Sequence, residues 1–286
     1  MSREELISSA AGAAVHAPSK LQLDRNKAYD ERIRKYYEIV SSRPLLTKET
    51  HYMNMGYWKD NPESLDEACE AMAKFMGDFG QFSPEDRILD AGCGFGDQDI
   101  YWASQHSPRE ITGVNISRIQ VESAQRKIKE LGLQNGITIH LGSATSLPFA
   151  DGSFDKVVAL ESAQHFGTRE DFFGEAHRVL RSGGRIYMSD IIPLPGAAIG
   201  NFALKAMALN KDNLYSREVY EQKLKDAGFT NARVTSVRDL VLQPFKRFMD
   251  RTAENAPLTE RLRRRISKLL VPTYKLDYVI ASAEKN

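Results

Sequence analysis

The spacing of apolar residues changes character once along this chain, near residue 86. Before that point the period is helical. In DERIRKYYEIV (30–40), Ile33, Tyr36/Tyr37 and Val40 share a face; over 65–79, Leu65, Cys69, Met72, Met76 and Phe79 do the same. Between them, TKETHYMNMGYWKDNP (47–62) reads as an aromatic-rich loop. Beyond residue 86, short apolar strands alternate with helices. The strands are RILDAG (87–92), EITGVNI (110–116), ITIHLGS (137–143), KVVALES (156–162) and RIYMSDI (185–191). A helix over 117–131 places Val121, Ala124, Ile128 and Leu131 on one stripe. Thr168 and Asp171 form a capping pair for DFFGEAHRVL, and Gly183-Gly184 turns the chain into the fifth strand. Ser216 caps SREVYEQKLKDAG and Gly228 ends it; ARVTSVRDL (232–240), a basic helical stretch at 245–270 and LDYVIASAEK (276–285) follow. This alternation predicts an α/β fold, a parallel sheet with helices on both faces.

The pattern divides the chain into a flexible N-terminal arm (1–25), a helical cap (26–80) and a core (81–286). Two insertions interrupt the core, a lid at 192–215 carrying Pro193, Pro195 and Gly196, and the helical stretch at 245–270. The lid lies at the carboxyl edge of the sheet, where open α/β folds bind ligands. With 286 residues, 42% of them apolar, there is ample material for one large core. The 39 basic residues nearly balance the 38 acidic ones, which argues against nucleic acid or a membrane surface as partner. No apolar run approaches 18 residues and no basic-then-apolar leader opens the chain, so a soluble, cytoplasmic protein is expected. Cys69 falls on a helix face and Cys93 inside a glycine turn, a distribution that suits neither a disulfide nor a metal cluster. The run RLRRRISK (261–268) reads most simply as a solvated helix face; a homo-oligomer contact there stays open.

Candidate chemistry begins at LDAGCGFG, where Gly92, Gly94 and Gly96 follow a strand and precede the helix DQDIYWASQ. Bare backbone at such a turn lets a ligand approach closely, and the helix N-terminus favours negative ligand groups. The spacing is G-x-G-x-G rather than the G-x-G-x-x-G of dinucleotide sites. Asn115 ends the second strand, as a polar ligand contact or as a cap for the next helix. His165 lies past the fourth strand and Asp190 ends the fifth. Neighbouring strands are about 4.8 Å apart, so the two side chains are expected to meet as a general base and its orienting carboxylate. The alternative is packing for His165 and turn capping for Asp190. His51 sits in the aromatic loop, whose Tyr57 and Trp58 are candidates to cover a cationic ligand or are simply core.

With Asp90 two residues ahead of the first glycine, this turn resembles motif I of the class I S-adenosylmethionine-dependent methyltransferases. LGSATSLPFADGSFDKV (141–157) resembles that family's G-D-A-x-x-L-P-F-x-D-x-S-F-D segment. Together with GYW, GVNIS, LESAQHF, SDIIPL, DAGF and DYVIASA, the chain is similar to natural-product O-methyltransferases of the erythromycin-sugar type and, more distantly, the rebeccamycin-sugar type. The resemblance implies a Rossmann-like, seven-stranded, mostly parallel sheet with an antiparallel last strand and a helical lid. It implies S-adenosylmethionine as cofactor, a small-molecule acceptor and no metal. Cofactor contacts are implied for Tyr57, Asp90, Gly92, Gly94, Gly96, Gln98, Asn115, Ile116, Gln120, Ser143, Ala144 and Glu161, and acceptor chemistry for His165 and Asp190. Asn115 and Ser143 depart from the family pattern, which has acids at both positions. The leading expectation is methyl transfer to a hydroxyl of a secondary metabolite. C-methylation using Glu161, Tyr187 or lid phenylalanines, a cofactor-binding scaffold without transfer activity, and an NAD-dependent dehydrogenase are the alternatives.

Overall fold

A computed structural model describes residues 20–43, 45–254 and 273–286. Seven strands form one sheet: β1 (Arg87–Ala91), β2 (Glu110–Asn115), β3 (Ile137–Leu141), β4 (Phe154–Leu160), β5 (Leu180–Pro193), β6 (Thr230–Ser236) and β7 (Leu276–Glu284). Their order is β3-β2-β1-β4-β5-β7-β6; the first five pair in parallel, and β7 is antiparallel to both of its neighbours. Eight helices accompany them among the described residues: α1 (Lys20–Ser41), α2 (Leu65–Phe79), α3 (Asp97–Gln105), α4 (Arg118–Glu130), α5 (Arg169–Val179), α6 (Asn201–Ala206), α7 (Arg217–Asp226) and α8 (Leu242–Glu254).

The near-continuous apolar runs of the central strands follow from burial on both faces. Along β4, Val157 and Ala159 enter one core and Val158 and Leu160 the other. Along β5, Ile186, Met188 and Ile192 join Phe172, Phe173 and Tyr220, whereas Tyr187 and Ile191 join the core with Met72, Met76 and Trp102. Each such aliphatic side chain contributes about 1.5–3 kcal/mol on burial. The expected caps form. Thr168 Oγ1 accepts from Asp171 N–H at 3.1 Å, and Ser216 Oγ accepts from Val219 N–H at 3.4 Å.

Boundaries differ where local chemistry intervenes. Gly183-Gly184 does not end an element: β5 already starts at Leu180 and absorbs the pair as an irregularity between its two stretches of pairing with β4. The strand expected over 232–240 ends at Ser236, and Arg238–Leu240 tightens into a 3-10 turn. Helix α1 starts at Lys20, which shortens the arm expected over 1–25. The basic stretch expected at 245–270 begins as α8 at Leu242; its remainder, including 261–268, lies outside the described residues. No described helix is long and apolar enough to cross a membrane. Cys69 and Cys93 are both buried free thiols.

Candidate active site

A cavity of about 520 Å³ opens at the carboxyl ends of β1, β2 and β4. Its far wall comes from α1, the loop after it and the segment around α6, within the size range of small-molecule sites. The glycine turn forms the floor. Gly92 has φ +85°, and a Cβ there would stand 2.4 Å from the Ser162 Cβ, so no side chain fits. Gly94 has φ +59°, and a Cβ on it would meet nothing within 4 Å; its bare backbone faces open cavity. Beneath the turn, Gln98 Nε2 donates to Asp90 Oδ2 (2.9 Å) and to the Cys93 carbonyl (3.1 Å). Asp90 is fully buried and does not line the cavity. Burial raises its carboxyl to about 7, and Asp99, buried beside it, is raised for the same reason. Gly96 also lies off the cavity, packed at the start of α3 against Ala124 of α4.

At the end of β2, Asn115 Oδ1 accepts from Ile116 N–H (2.8 Å). Its amide nitrogen donates to the Gly94 carbonyl (3.0 Å) and to Gln120 Oε1 (2.6 Å). Gln120 in turn donates to Ser41 Oγ at the end of α1 (3.0 Å). The missing carboxylate is thus replaced by a neutral, fully organised amide pair. Ser143 and Ala144 line the same end of the cavity. The set fits a nucleoside sulfonium. Bare glycine backbone meets amide acceptors, while the thioethers of Met53 and Met55, the rings of Tyr37 and Tyr52 and the Glu161 carboxyl offer apolar and cation-attracting walls.

Glu161 is the first residue beyond β4, at φ +48°. Its Oε1 accepts from Met55 N–H and from Tyr278 Oη–H, both at 2.7 Å. Burial raises its carboxyl to about 7, against the lowering effect of these two donors. The chain then coils through a 3-10 turn, Ala163–His165. His165 Nδ1 lies 3.1 Å from the Ala208 carbonyl oxygen. A carbonyl only accepts, so Nδ1 carries the proton and Nε2 keeps its lone pair. Gln164 Nε2, fixed by donation to the Glu161 carbonyl (2.7 Å), stands 3.3 Å from that lone pair. Burial lowers the His165 pKa below its ordinary value, with the Ala208 contact opposing, which favours the neutral imidazole.

Of the residues singled out in the sequence, Gly92, Gly94, Gln98, Asn115, Ile116, Gln120, Ser143, Ala144, Glu161 and His165 meet at this cavity. Asp190 does not. Residues alternate along a strand, so Asp190 shares the face of Met188 and Ile192, whereas Ile191 turns to the cavity. Both Asp190 oxygens are engaged on that far face: Arg169 donates to them at 2.7 and 2.9 Å, Tyr220 Oη–H at 2.8 Å and Ile191 N–H at 2.7 Å. The expected His165–Asp190 contact is replaced by the Ala208 carbonyl. Tyr57 is also elsewhere, stacked on Phe75 at 4.7 Å, and Trp58 packs against Phe248. Tyr187 lies against Phe79 outside the cavity. The rings that do line it are Tyr36, Tyr37, Tyr52, Phe95, Phe166 and Phe245. Asp30 was missed, although it precedes Ile33 by three and Tyr37 by seven on the helical face that the pattern had marked.

The model of a family described as a methyltransferase domain matches residues 89–188. Erythromycin 3''-O-methyltransferase of Saccharopolyspora erythraea is 33% identical over 279 residues, spanning 89% of this chain and 90% of that protein. The 27-O-demethylrifamycin SV methyltransferase of Amycolatopsis mediterranei is 32% identical over 179 residues, 62% of this chain and 65% of its own. Among solved structures, geranyl diphosphate C-methyltransferase from Streptomyces coelicolor A3(2), bound to Mg2+, geranyl diphosphate and S-adenosyl-L-homocysteine, superposes with a TM-score of 0.72. At 20% identity, over 90% of this chain and 98% of that one, its likeness is one of fold. Sequence relationship over nearly the whole length and the built cavity agree: the chain belongs to the class I S-adenosylmethionine-dependent methyltransferases, among the O-methyltransferases of natural-product biosynthesis.

Proposed function

We propose that the acceptor is a hydroxyl of a medium-sized, oxygen-rich secondary metabolite, glycosylated or macrocyclic, with His165 as general base. The carrying observation is the imidazole in the cavity lining whose Nδ1–H is held by the Ala208 carbonyl, which leaves the Nε2 lone pair to accept a proton. Relatives named for erythromycin and for 27-O-demethylrifamycin SV support an acceptor of that size. The cofactor supplies an activated methyl group on a sulfonium, with its own leaving group. The turn from Gly92 to Gly94, the Asn115–Gln120 pair and Ser143–Ala144 would hold it. The chain's remaining task is alignment and proton removal. The acceptor O–H displaces the long Gln164 contact and donates to Nε2. As the carbon–oxygen bond forms, the proton passes to Nε2 and the imidazolium charge is shared through Nδ1–H with the Ala208 carbonyl. Tyr37, edge-on to His165 at 5.5 Å between centroids, fixes the ring's other side.

A second reading, transfer to carbon, draws on the Glu161 carboxyl as the group that stabilises a cationic intermediate. Labelled methyl transfer with mass spectrometry of the product separates the two: a new O–CH3 group supports His165 chemistry, and a new C–CH3 bond overturns it. His165→Ala is expected to lower kcat by about 100- to 10,000-fold while S-adenosylhomocysteine affinity holds. Near-normal turnover would demote His165 to packing. The near-neutral charge and the buried thiols support a cytosolic enzyme acting on small molecules rather than on nucleic acid.

A further inference from the structure

The family's acid at position 143 is missing, and a carboxylate reaches the same place from another element. Ser143 Oγ is 3.0 Å from Thr145 Oγ1, within a tight turn closed by the Ser143–Ser146 bridge. Asp30, on α1, lines the same cavity as Gly142, Ser143, Ala144 and Asn115. Burial pushes its carboxyl above the ordinary carboxylate value, with the Ser143 hydroxyl opposing. Among the described residues no lysine or arginine forms an ion pair with Asp30. A partly buried carboxylate in the lining of a ligand cavity has oxygens with which to accept a hydrogen bond from the ligand.

We propose that Asp30 is the acid of the cofactor's base subsite, accepting the exocyclic amino group of adenine from α1 in place of the side chain that Ser143 lacks. This rests on the reading that Ser143–Ala144 receives the base. It makes α1 part of the cofactor site rather than a cover over it. From residue 26 on, the described hydrogen bonds of α1 to the rest of the fold run from Asn26 to Asp171 (2.8 Å), Tyr29 to the Ala208 carbonyl (3.3 Å), Tyr36 to the Ala206 carbonyl (3.4 Å) and Ser41 to Gln120 (3.0 Å). Among its described apolar side chains only Ile33 is fully buried. Such an element opens easily, so a bond gained only with cofactor present shifts it towards the docked state. Because Tyr37 rides on the same helix against His165, cofactor binding also completes the wall around the base.

The test compares wild type, Asp30→Ala and Asp30→Ala/Ser143→Asp by calorimetry with S-adenosylhomocysteine and with its inosine analogue, whose base carries oxygen in place of the amino group. Wild type should prefer the adenine form. Asp30→Ala should weaken S-adenosylhomocysteine about tenfold or more and erase the preference, since hydrogen bonds to charged groups are of that order. The double variant, with the acid returned to position 143, should regain both. Hydrogen exchange over 26–41 should slow on adding S-adenosylhomocysteine in wild type and not in Asp30→Ala. Unchanged affinity and preference in Asp30→Ala would overturn the proposal. Absence of S-adenosylhomocysteine binding in wild type itself would instead overturn the placement of the cofactor on which the proposal rests. Asp30 is half-exposed on a helix and alanine favours helix, so the variant folds.

Discussion

The two halves of the cavity are built by opposite means. The cofactor half is centred on backbone: glycines between β1 and α3, the end of β2 and the turn after β3, with the Asn115–Gln120 amide pair beside them. The acceptor half is assembled from side chains and carbonyls far apart in the chain. His165 meets Ala208 across 43 positions, and Met55 meets Glu161 across 106. At Gly92 the first half tolerates little change, because a Cβ there would run into Ser162. The second can be rewritten piece by piece, provided that each polar atom keeps a partner.

The sharpest test of that contrast lies behind the cavity, at Arg169, the buried cation that pairs with Asp190 on the far face of β5. Arg169→Met should destabilise the fold by about 3–5 kcal/mol in chemical denaturation, because it strands the Asp190 carboxylate. Asp190→Asn in the same background should restore part of the loss. If the single variant were stable yet inactive, Asp190 would regain a place in the chemistry. In the first half, Gly92→Ala should cost about 1–3 kcal/mol of stability, from φ +85° and the Ser162 clash together. Gly94→Ala should cost about 1 kcal/mol, yet weaken S-adenosylhomocysteine binding, because its Cβ enters the cavity. Equal effects of the two substitutions on Tm and affinity would show that the turn does not separate folding from binding.

A pH profile separates the His165 reading from the Glu161 one. A protonated base cannot accept the acceptor's proton, so kcat/KM falls as pH drops through the base's pKa. Burial lowers His165, which puts the fall below the ordinary 6.5. If the limb instead centres on about 7, the value of Glu161, the carboxylate carries the chemistry. The smallest effect is expected at Tyr57→Ala: cofactor affinity stays within about twofold, since the ring stacks on Phe75 outside the cavity. A larger loss would bring Tyr57 back into the site.

Much of the first half could be read from the sequence because periodicity and glycine spacing are local signals. The strands, the sheet order implied by the family resemblance and most cofactor-side residues follow from contiguous motifs. Strand adjacency alone puts Asp190 beside His165, but its side-chain parity, shared with Met188 and Ile192, sends it to the opposite face. Tyr57 and Trp58 were chosen for composition, but Gly56, with φ +76°, and the bond from Tyr57 N–H to the Ala68 carbonyl turn that pair towards α2. Asp30 shares a helical stripe with Ile33 and Tyr37, yet nothing local says that this stripe meets Ser143, more than a hundred residues later.

The tether of His165 has a practical side. Its partner is a main-chain carbonyl, and Ala208 holds φ +51°. The identity of the side chains around position 208 is thus uncoupled from the tautomer of the base, as long as the backbone keeps its path. Libraries that vary Met207 and Leu209, both of which line the acceptor space, can retune which hydroxyl is presented without disarming the imidazole. An aspartate in that role would have tied substrate scope to catalysis; a carbonyl leaves them separately adjustable.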